Sequence, residues 1–403
     1  MDRRIMVLAA ASFAMGTEAY VYAGHLETLA RDLGQPVAIA GQLATAFALT
    51  YALTAAIVAG AVARFGRRSV LLAGLALIGG FNLLAAFVPS LGALMVLRVL
   101  CGLAAGMVGP IASAAAADLA LPEKRGQAMA VVLAGLTLAF VLGIPTGSVV
   151  GDLFGWRATF LYAGLTVSAA ALAIRIVLPA MAGGKRAGLE VFGAALQPAI
   201  AHYLALTLIG FAATFTAIAY VGPIVTAISG LTGSGIGAIQ AFIGIGSIIG
   251  VVLGGRVADT GAATRVLVTS FLVSAVSLSV YSVLIGTTAA DAALPLLSMA
   301  RGAVVLTLSL GTIVGAAALF SRTPIIQARL VGAASVEARP VVLALNGSMV
   351  FLGQGLGAAI GGATVAAAGL PLVGFAGAAV ALVGAALALK AAPRPAILTR
   401  SAE

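Results

Sequence analysis

Glu18, Tyr22 and His25 stand at i, i+4 and i+7 in the first apolar stretch of the chain, so a helix there would carry all three on one face. A carboxyl, a phenol and an imidazole in line could relay protons, since histidine titrates near neutral pH. The alternative for His25 is a place at the headgroup boundary without a relay. Two more ionisable residues interrupt apolar stretches, Arg98 and Arg301. At 1.5 Å per residue, Glu18 and Arg98 fall about 10 Å below the outer edge of a roughly 30 Å hydrocarbon core, and Arg301 about 13 Å. A carboxylate and two guanidiniums at one level could neutralise each other across a central cavity. Charge at the bilayer centre costs at least ~2.5–3.5 kcal/mol. Either protonation of Glu18 rearranges the pairing and couples a proton to a change of shape, or the pair is a static tie. Thr216 and Tyr220, four apart, are placed on the wall of the same cavity. Asn82, Gln240, Asn346 and Gln354 read first as interhelical hydrogen-bonding groups.

The elements that must hold these residues are dictated by composition. Of 403 residues, 62% are hydrophobic and only 8% charged, against roughly 25% charged in soluble domains. The chain is therefore a polytopic, all-α membrane protein, with room for about twelve spans of about 20 residues. The net charge of +10 would suggest nucleic acid in a soluble protein. Here it reports topology, and no nucleic-acid partner is expected. One cysteine, Cys101, excludes a disulfide framework, and with two histidines it leaves no metal site. No cofactor is implied. The shortage of His, Cys and paired acids excludes intramembrane catalysis, so the chain is read as no enzyme. The N-terminal apolar segment resembles a signal peptide, but Glu18 interrupts it and no clear cleavage site follows; it is read as an uncleaved first helix.

Charges, Pro and Gly divide the chain into spans at 5–29, 38–62, 69–88, 91–117, 127–150 and 158–178, then 200–228, 236–255, 265–286, 292–318, 340–366 and 371–389. The hydrophilic break splits it into a bundle over 1–180, a linker over 181–199 and a bundle over 200–403. With the N-terminus inside, 18 of the 22 basic residues fall on the cytoplasmic side, Arg322 and Arg329 among them. Arg31 and Arg157 lie outside and Arg98 and Arg301 within spans. That imbalance places both termini in the cytoplasm.

Glycines form the next pattern. Gly143, Gly147, Gly151 and Gly155 recur every four residues, with Pro145 in the first interval. Four residues is close to one turn, so one helix face is nearly bare. In a bilayer such a face lets backbones approach closely. It reads as a surface for sliding, or else for ordinary tight packing. Gly246, Gly250 and Gly254 in the eighth span and Gly353, Gly357 and Gly361 in the eleventh repeat the pattern. The three rows suggest a shared interface between halves. Ala59–Arg68 and Gly254–Gly261 end corresponding spans similarly, and Arg98 and Arg301 are similarly placed. Both hint at the duplication common in secondary transporters.

With these residues in hand, the chain resembles a bacterial member of the major facilitator superfamily, closest to the twelve-span drug:proton antiporters that include sugar-efflux and arabinose-efflux permeases. Gly135–Arg157 resembles that family's fifth-helix antiporter signature. Gly16-Thr17-Glu18 with Gly24 and Asp32-Leu33-Gly34 resembles its first helix. Arg98–Gly102 resembles its fourth-helix arginine motif, Pro122–Gly126 the following turn, and Ala344-Leu-Asn346 with Gly353 and Gly357 the eleventh helix. The resemblance implies two six-helix bundles around a central cavity lined by helices 1, 4, 7 and 10, with helices 2, 5, 8 and 11 between the bundles. It also implies a monomer in the bacterial inner membrane, exchanging a small molecule for protons, with Glu18 and Arg98 in proton coupling and Tyr22, His25, Thr216, Tyr220 and Arg301 on the cavity. An importing symporter or uniporter is the rival. The family's motif after the second helix keeps Arg64, Gly66, Arg67 and Arg68 here, but Ala63 replaces its Asp. The cytoplasmic charge latch must therefore be weaker, or remade through Asp118 or Asp259. The substrate is not implied.

Overall fold

The structure, a computed structural model, describes residues 2–62, 65–121, 124–183, 193, 197–293, 301–335 and 338–390. Twelve helices in this range are long and apolar enough to cross a membrane, and the described residues include no strand. They are α1 (Arg3–Asp32), α2 (Gln42–Val62, after the single turn Val37–Ala40), α3 (Arg67–Ala85), α4 (Leu91–Leu119), α5 (Arg125–Phe154) and α6 (Trp156–Val177). The second six are α7 (Pro198–Ile218), α8 (Ser234–Val257), α9 (Ala263–Ala293), α10 (Arg301–Ala333), α11 (Arg339–Ala368) and α12 (Val373–Leu389). The first six and the last six form two bundles. Below, the side of the protein carrying the start of α1 and the end of α12 is the terminal face, and the other the opposite face.

The glycine rows do not lie between the bundles. In α5, a Cβ on Gly135 would overlap the Ala9 carbonyl, and at Gly143, Gly147 and Gly151 it would strike Thr17, Val21 and His25, all on α1. In α8, Gly246, Gly250 and Gly254 face the carbonyls of Ile313, Ala317 and Ser321 on α10. In α11, Gly353, Gly357 and Gly361 face the carbonyls of Leu208, Ala212 and Thr216 on α7. Gly102 and Gly106 bring α4 equally close to α2. The expectation of a shared interface is thus corrected: the rows bind α1 to α5, α2 to α4, α7 to α11 and α8 to α10, each within one bundle. A four-residue repeat keeps one face bare along the whole helix, which suits two helices running side by side for their full length.

Between the bundles the glycines are spaced by seven. Gly237 and Gly244 of α8 meet Pro145 and Val141 of α5, while Gly355 and Gly362 of α11 meet Leu49 and Gln42 of α2. Pro145 cannot donate a hydrogen bond to the turn before it. The helix widens there into a π-helical turn over Ala139–Gly143, a recurrent answer to such a break.

α1 and α7 are both interrupted toward the opposite face. α1 leaves α-helical form after Tyr20, passes through a 3₁₀ turn at Ala23–His25 and resumes at Leu26. α7 ends at Ile218 and a short helix, Val221–Ser229, follows. The two breaks touch, since a Cβ on Gly222 would lie 2.7 Å from the Ala23 carbonyl oxygen and 3.1 Å from that of Gly24. This pairing supports the duplication read from sequence.

The tenth span runs past its expected end at residue 318. α10 is described from Arg301 through Pro324 to Ala333. The Arg301 side chain, expected on the cavity, lies outside the described residues. Arg322, expected in a cytoplasmic loop, is instead buried within α10 at 3% exposure.

If the rows hold the bundles together, Gly135→Leu and Gly250→Leu should each cost at least the ~1–3 kcal/mol of an overpacked contact. The melting temperature of the purified protein should fall by several degrees in both. Gly92→Ala, with open space around it, should melt like the parent.

Candidate functional site

Rings fill the middle of the molecule where the bundles meet. Phe140 of α5 lies 5.9 Å from Phe320 of α10, centroid to centroid, and Phe320 lies 6.2 Å from Phe211 of α7. Phe215, one turn along α7, packs 5.2 Å from Tyr20 of α1. On the other side, Tyr51 and Phe47 of α2 stand 3.7 and 6.3 Å from Phe351 of α11. The Tyr20 hydroxyl crosses between bundles, donating to Gln354 Oε1 at 2.8 Å. Apart from Tyr20, Tyr51 and Gln354, these surfaces are apolar and polarisable, suited to flat or amphiphilic molecules. Sequence reasoning passed over these rings. Their signal was available, since aromatics make up only 6% of the chain and those rings fall inside spans.

The charge pair sits beside this centre, within the first bundle. Arg98 Nη1 donates to Glu18 Oε2 at 2.8 Å, and Asn82 Nδ2 from α3 donates to the same oxygen at 3.1 Å. Arg98 also donates to the carbonyls of Glu18 and Ala19 at 3.3 and 2.7 Å. Both charged residues are at most 1% exposed. Glu18 Oε1, Arg98 Nε, Asn82 Oδ1 and the Tyr22 hydroxyl are buried without a hydrogen-bond partner. Glu18 and Arg98 do meet, therefore, but between α1, α3 and α4 and not across a central cavity. The guanidinium carbon lies 4.5 Å over the Phe47 ring and 5.3 Å over that of Tyr22. Since Phe47 also faces Phe351, the pair touches the inter-bundle contact through one ring.

The other expected cavity residues separate. Tyr22 is 1% exposed and stacked on Phe160 of α6 at 5.6 Å. It shares the Glu18 face, as its spacing required, but that face points into the bundle. His25 does not continue the line, because the 3₁₀ turn rotates it toward α5. There its Nε2 donates to the Ser148 carbonyl at 2.8 Å, against Gly151. Thr216 is fully buried, donating to the Ala212 carbonyl between α11 and α12. Tyr220 is also buried, and its hydroxyl accepts from Gln42 Nε2 at 3.3 Å and is 3.3 Å from the Ala38 carbonyl.

Tyr220 and His25 belong instead to a seal between the bundles at the opposite face. Ser148 donates to Gln240 Oε1 at 2.6 Å, and Asp152 accepts the Ser234 amide at 3.0 Å, capping the start of α8. Gln42 and Gln240 occupy corresponding places near the starts of α2 and α8. The α5–α8 and α2–α11 contacts named above run from mid-helix to this face. These contacts close the bundles against each other at the opposite face.

At the terminal face Arg67 pairs with Asp118 and donates to the Ala114 carbonyl at 2.7 Å. Arg68 donates to the Arg175 carbonyl at 2.6 Å, and Gly66 lies against the Met181 carbonyl. These contacts tie α3 to α4 and α6 inside the first bundle. Asp118 is thus the carboxylate partner of Arg67, while Asp259 is exposed and has no ion pair among the described residues. Arg64 lies outside the described residues.

Removing one partner of a buried ion pair typically costs ~3–5 kcal/mol, while replacing both by apolar groups is often tolerated. Glu18→Leu and Arg98→Leu should each lower thermal stability strongly, and the double replacement should recover most of the loss. The seal has its own test. With Cys101 buried, Ser148→Cys should resist a membrane-impermeant maleimide, and adding Gly244→Leu should raise its labelling several-fold.

A family model for the Major Facilitator Superfamily matches residues 6–319. The "Chloramphenicol resistance protein" of Streptomyces lividans is 34% identical over 267 residues, 64% of this chain and 67% of that protein. The "Inner membrane transport protein YdhP" of Escherichia coli (strain K12) is 30% identical over 366 residues, 90% and 89% of the two chains. Among solved structures, a bacterial homolog of the human lysosomal transporter Spinster, inward-facing and occupied, superposes with a TM-score of 0.74 at 16% identity, covering 96% of this chain and 95% of that one. A D-xylose-proton symporter gives 0.73 at 17% identity, covering 97% and 98%.

Proposed function

The chain belongs to the Major Facilitator Superfamily, and from that premise we propose that it is a proton-coupled exporter of a small organic molecule, within the drug:proton antiporter branch. The observation that carries this reading is the placement of Glu18. One carboxylate oxygen is held by Arg98 and Asn82, the other has no partner, and Arg98 lies on Phe47 in the inter-bundle contact. Protonating Glu18 would weaken its hold on Arg98 and so disturb a ring on which the two bundles meet. The sealed opposite face goes with the Glu18–Arg98 pairing. An antiporter needs that combination, because the state that has released its proton is the one that must take up cargo from inside.

The terminal face carries Arg3, Arg4, Arg67, Arg68, Arg256 and Arg265, against Arg31 and Arg157 at the opposite face. That bias supports cytoplasmic termini, in a bacterial inner membrane with the protein acting as a monomer. The seal then faces outward and the state is inward-facing. The bundles, over 1–180 and 200–403 with a linker between, would rock about the aromatic centre. The cargo would be an aromatic or amphiphilic molecule, a class that includes chloramphenicol, the compound in the name of the "Chloramphenicol resistance protein" of Streptomyces lividans. An importer would use the same fold, as the D-xylose-proton symporter does, so direction must be measured.

Everted vesicles energised by respiration should lose part of their acidification when chloramphenicol or another aromatic cargo is added. A Glu18→Gln variant should abolish that proton release and flatten the pH dependence of uptake into the vesicles. Unchanged proton coupling in Glu18→Gln would remove Glu18 from the mechanism. Accumulation in whole cells, in place of extrusion, would favour import.

A further inference from the structure

Arg322 is the second guanidinium buried in the transmembrane core, and unlike Arg98 it has no acid. Its Nε donates to the Ala318 carbonyl at 3.1 Å and its Nη2 to the Ser274 hydroxyl at 2.5 Å. The ring of Phe271 lies 4.1 Å from the guanidinium carbon. Nη1 is buried with no hydrogen-bond partner. Among the described residues the ion pairs are Arg67–Asp118 and Arg98–Glu18, and none of their carboxylates neutralises Arg322. Leaving a cation uncompensated inside a bilayer is costly, and such residues mark ion or substrate sites by default.

A small cavity opens beside this side chain, between α7, α10 and α11, with room for about one water-sized group. Its polar lining is Arg322, Thr207, Thr323 and Asn346, and its apolar walls include Phe211 and Leu319. Thr207 donates to Asn346 Oδ1 at 2.6 Å. That occupies the amide's acceptor and leaves its NH₂ as the free group. The cavity thus presents a fixed positive charge and amide donors, with no carboxylate. A cation would be repelled there, and a neutral molecule would leave the charge unmatched. On the far side of Arg322 a larger cavity begins at Ser274, lined mainly by apolar side chains with Ser277, Tyr281 and Thr312.

We propose that Arg322, with Asn346, binds the head of one singly charged anion. Two sources share that chemistry: a free halide, or the carboxylate of an organic acid whose body lies along the apolar walls. The site stands apart from Glu18 and requires no particular direction of transport.

The test uses the purified full-length protein in detergent at constant ionic strength. Melting temperature is followed while isethionate, whose sulfonate head is bulkier than a carboxylate and whose body is hydroxylated, is replaced by chloride or by benzoate. A saturable rise with chloride alone assigns the site to a free halide. A rise with benzoate that chloride displaces assigns it to carboxylates. Arg322→Met should weaken the apparent affinity at least tenfold, and Asn346→Ala several-fold with the cation kept. Equilibrium dialysis of labelled chloride and benzoate against the parent protein should give one bound anion per chain, and it decides the matter even if neither variant folds. The proposal is overturned if neither anion binds the parent, or if Arg322→Met responds as the parent does.

Discussion

Inside a bilayer no hydrophobic force draws one helix to another, because lipid tails are as apolar as leucine. What holds this protein together is backbone lying on backbone where side chains are missing. The carbonyls of Ala9, Ile313, Ala317, Leu208 and Ala212 each face a glycine on the neighbouring helix. Such contacts gain dispersion and weak Cα–H···O attraction over a long seam. They also tolerate no added carbon. Each bundle is in consequence built from tightly joined pairs, α1 with α5 and α2 with α4, α7 with α11 and α8 with α10. The surfaces between bundles are of another kind. They combine rings, three glutamines, two tyrosines, a helix cap and a few glycine contacts, and their side-chain hydrogen bonds can break singly and re-form with water. Rigid bodies with a separable seam follow from that contrast.

Much of this was legible in the sequence. Twelve spans follow from hydropathy, because each membrane helix must satisfy its own backbone. The interhelical role of Asn82, Gln240, Asn346 and Gln354 follows from the same scarcity of partners, and all four are hydrogen-bonded across helices. The direction of the glycine rows was not legible. A repeat of four shows that a face is bare, and leaves open which neighbour fills it. The partner was encoded elsewhere, in the seven-residue spacing of Gly237 with Gly244 and Gly355 with Gly362, which meet the other bundle. His25 was misplaced because its i+7 position assumes an unbroken helix, and α1 breaks before it. Arg322 and Pro324 together read as loop punctuation. In a helix as long as α10, Pro324 is accommodated against Gly254 of α8, and the arginine is carried inward with it.

The backbone of the two bundles repeats, and their charges do not. The breaks in α1 and α7, the glutamines at the starts of α2 and α8, and the glycine-joined pairs all recur. Among the described residues the buried Glu18–Arg98 pair has no counterpart in the second bundle, and the buried Arg322 has none in the first. Features needed for movement must act on both sides of a two-fold seam, since one bundle cannot roll unless the other yields to match. Chemistry carries no such requirement. A buried acid repeated in both bundles would double the charge to be moved and the desolvation to be overcome at every turn. One neutralised pair on one side and one uncompensated cation on the other leave the symmetric parts free to serve motion. Under the transport reading they also separate the group that takes the proton from the group that meets an anion. Glu18 can then gain or lose its proton away from the fixed cation of Arg322.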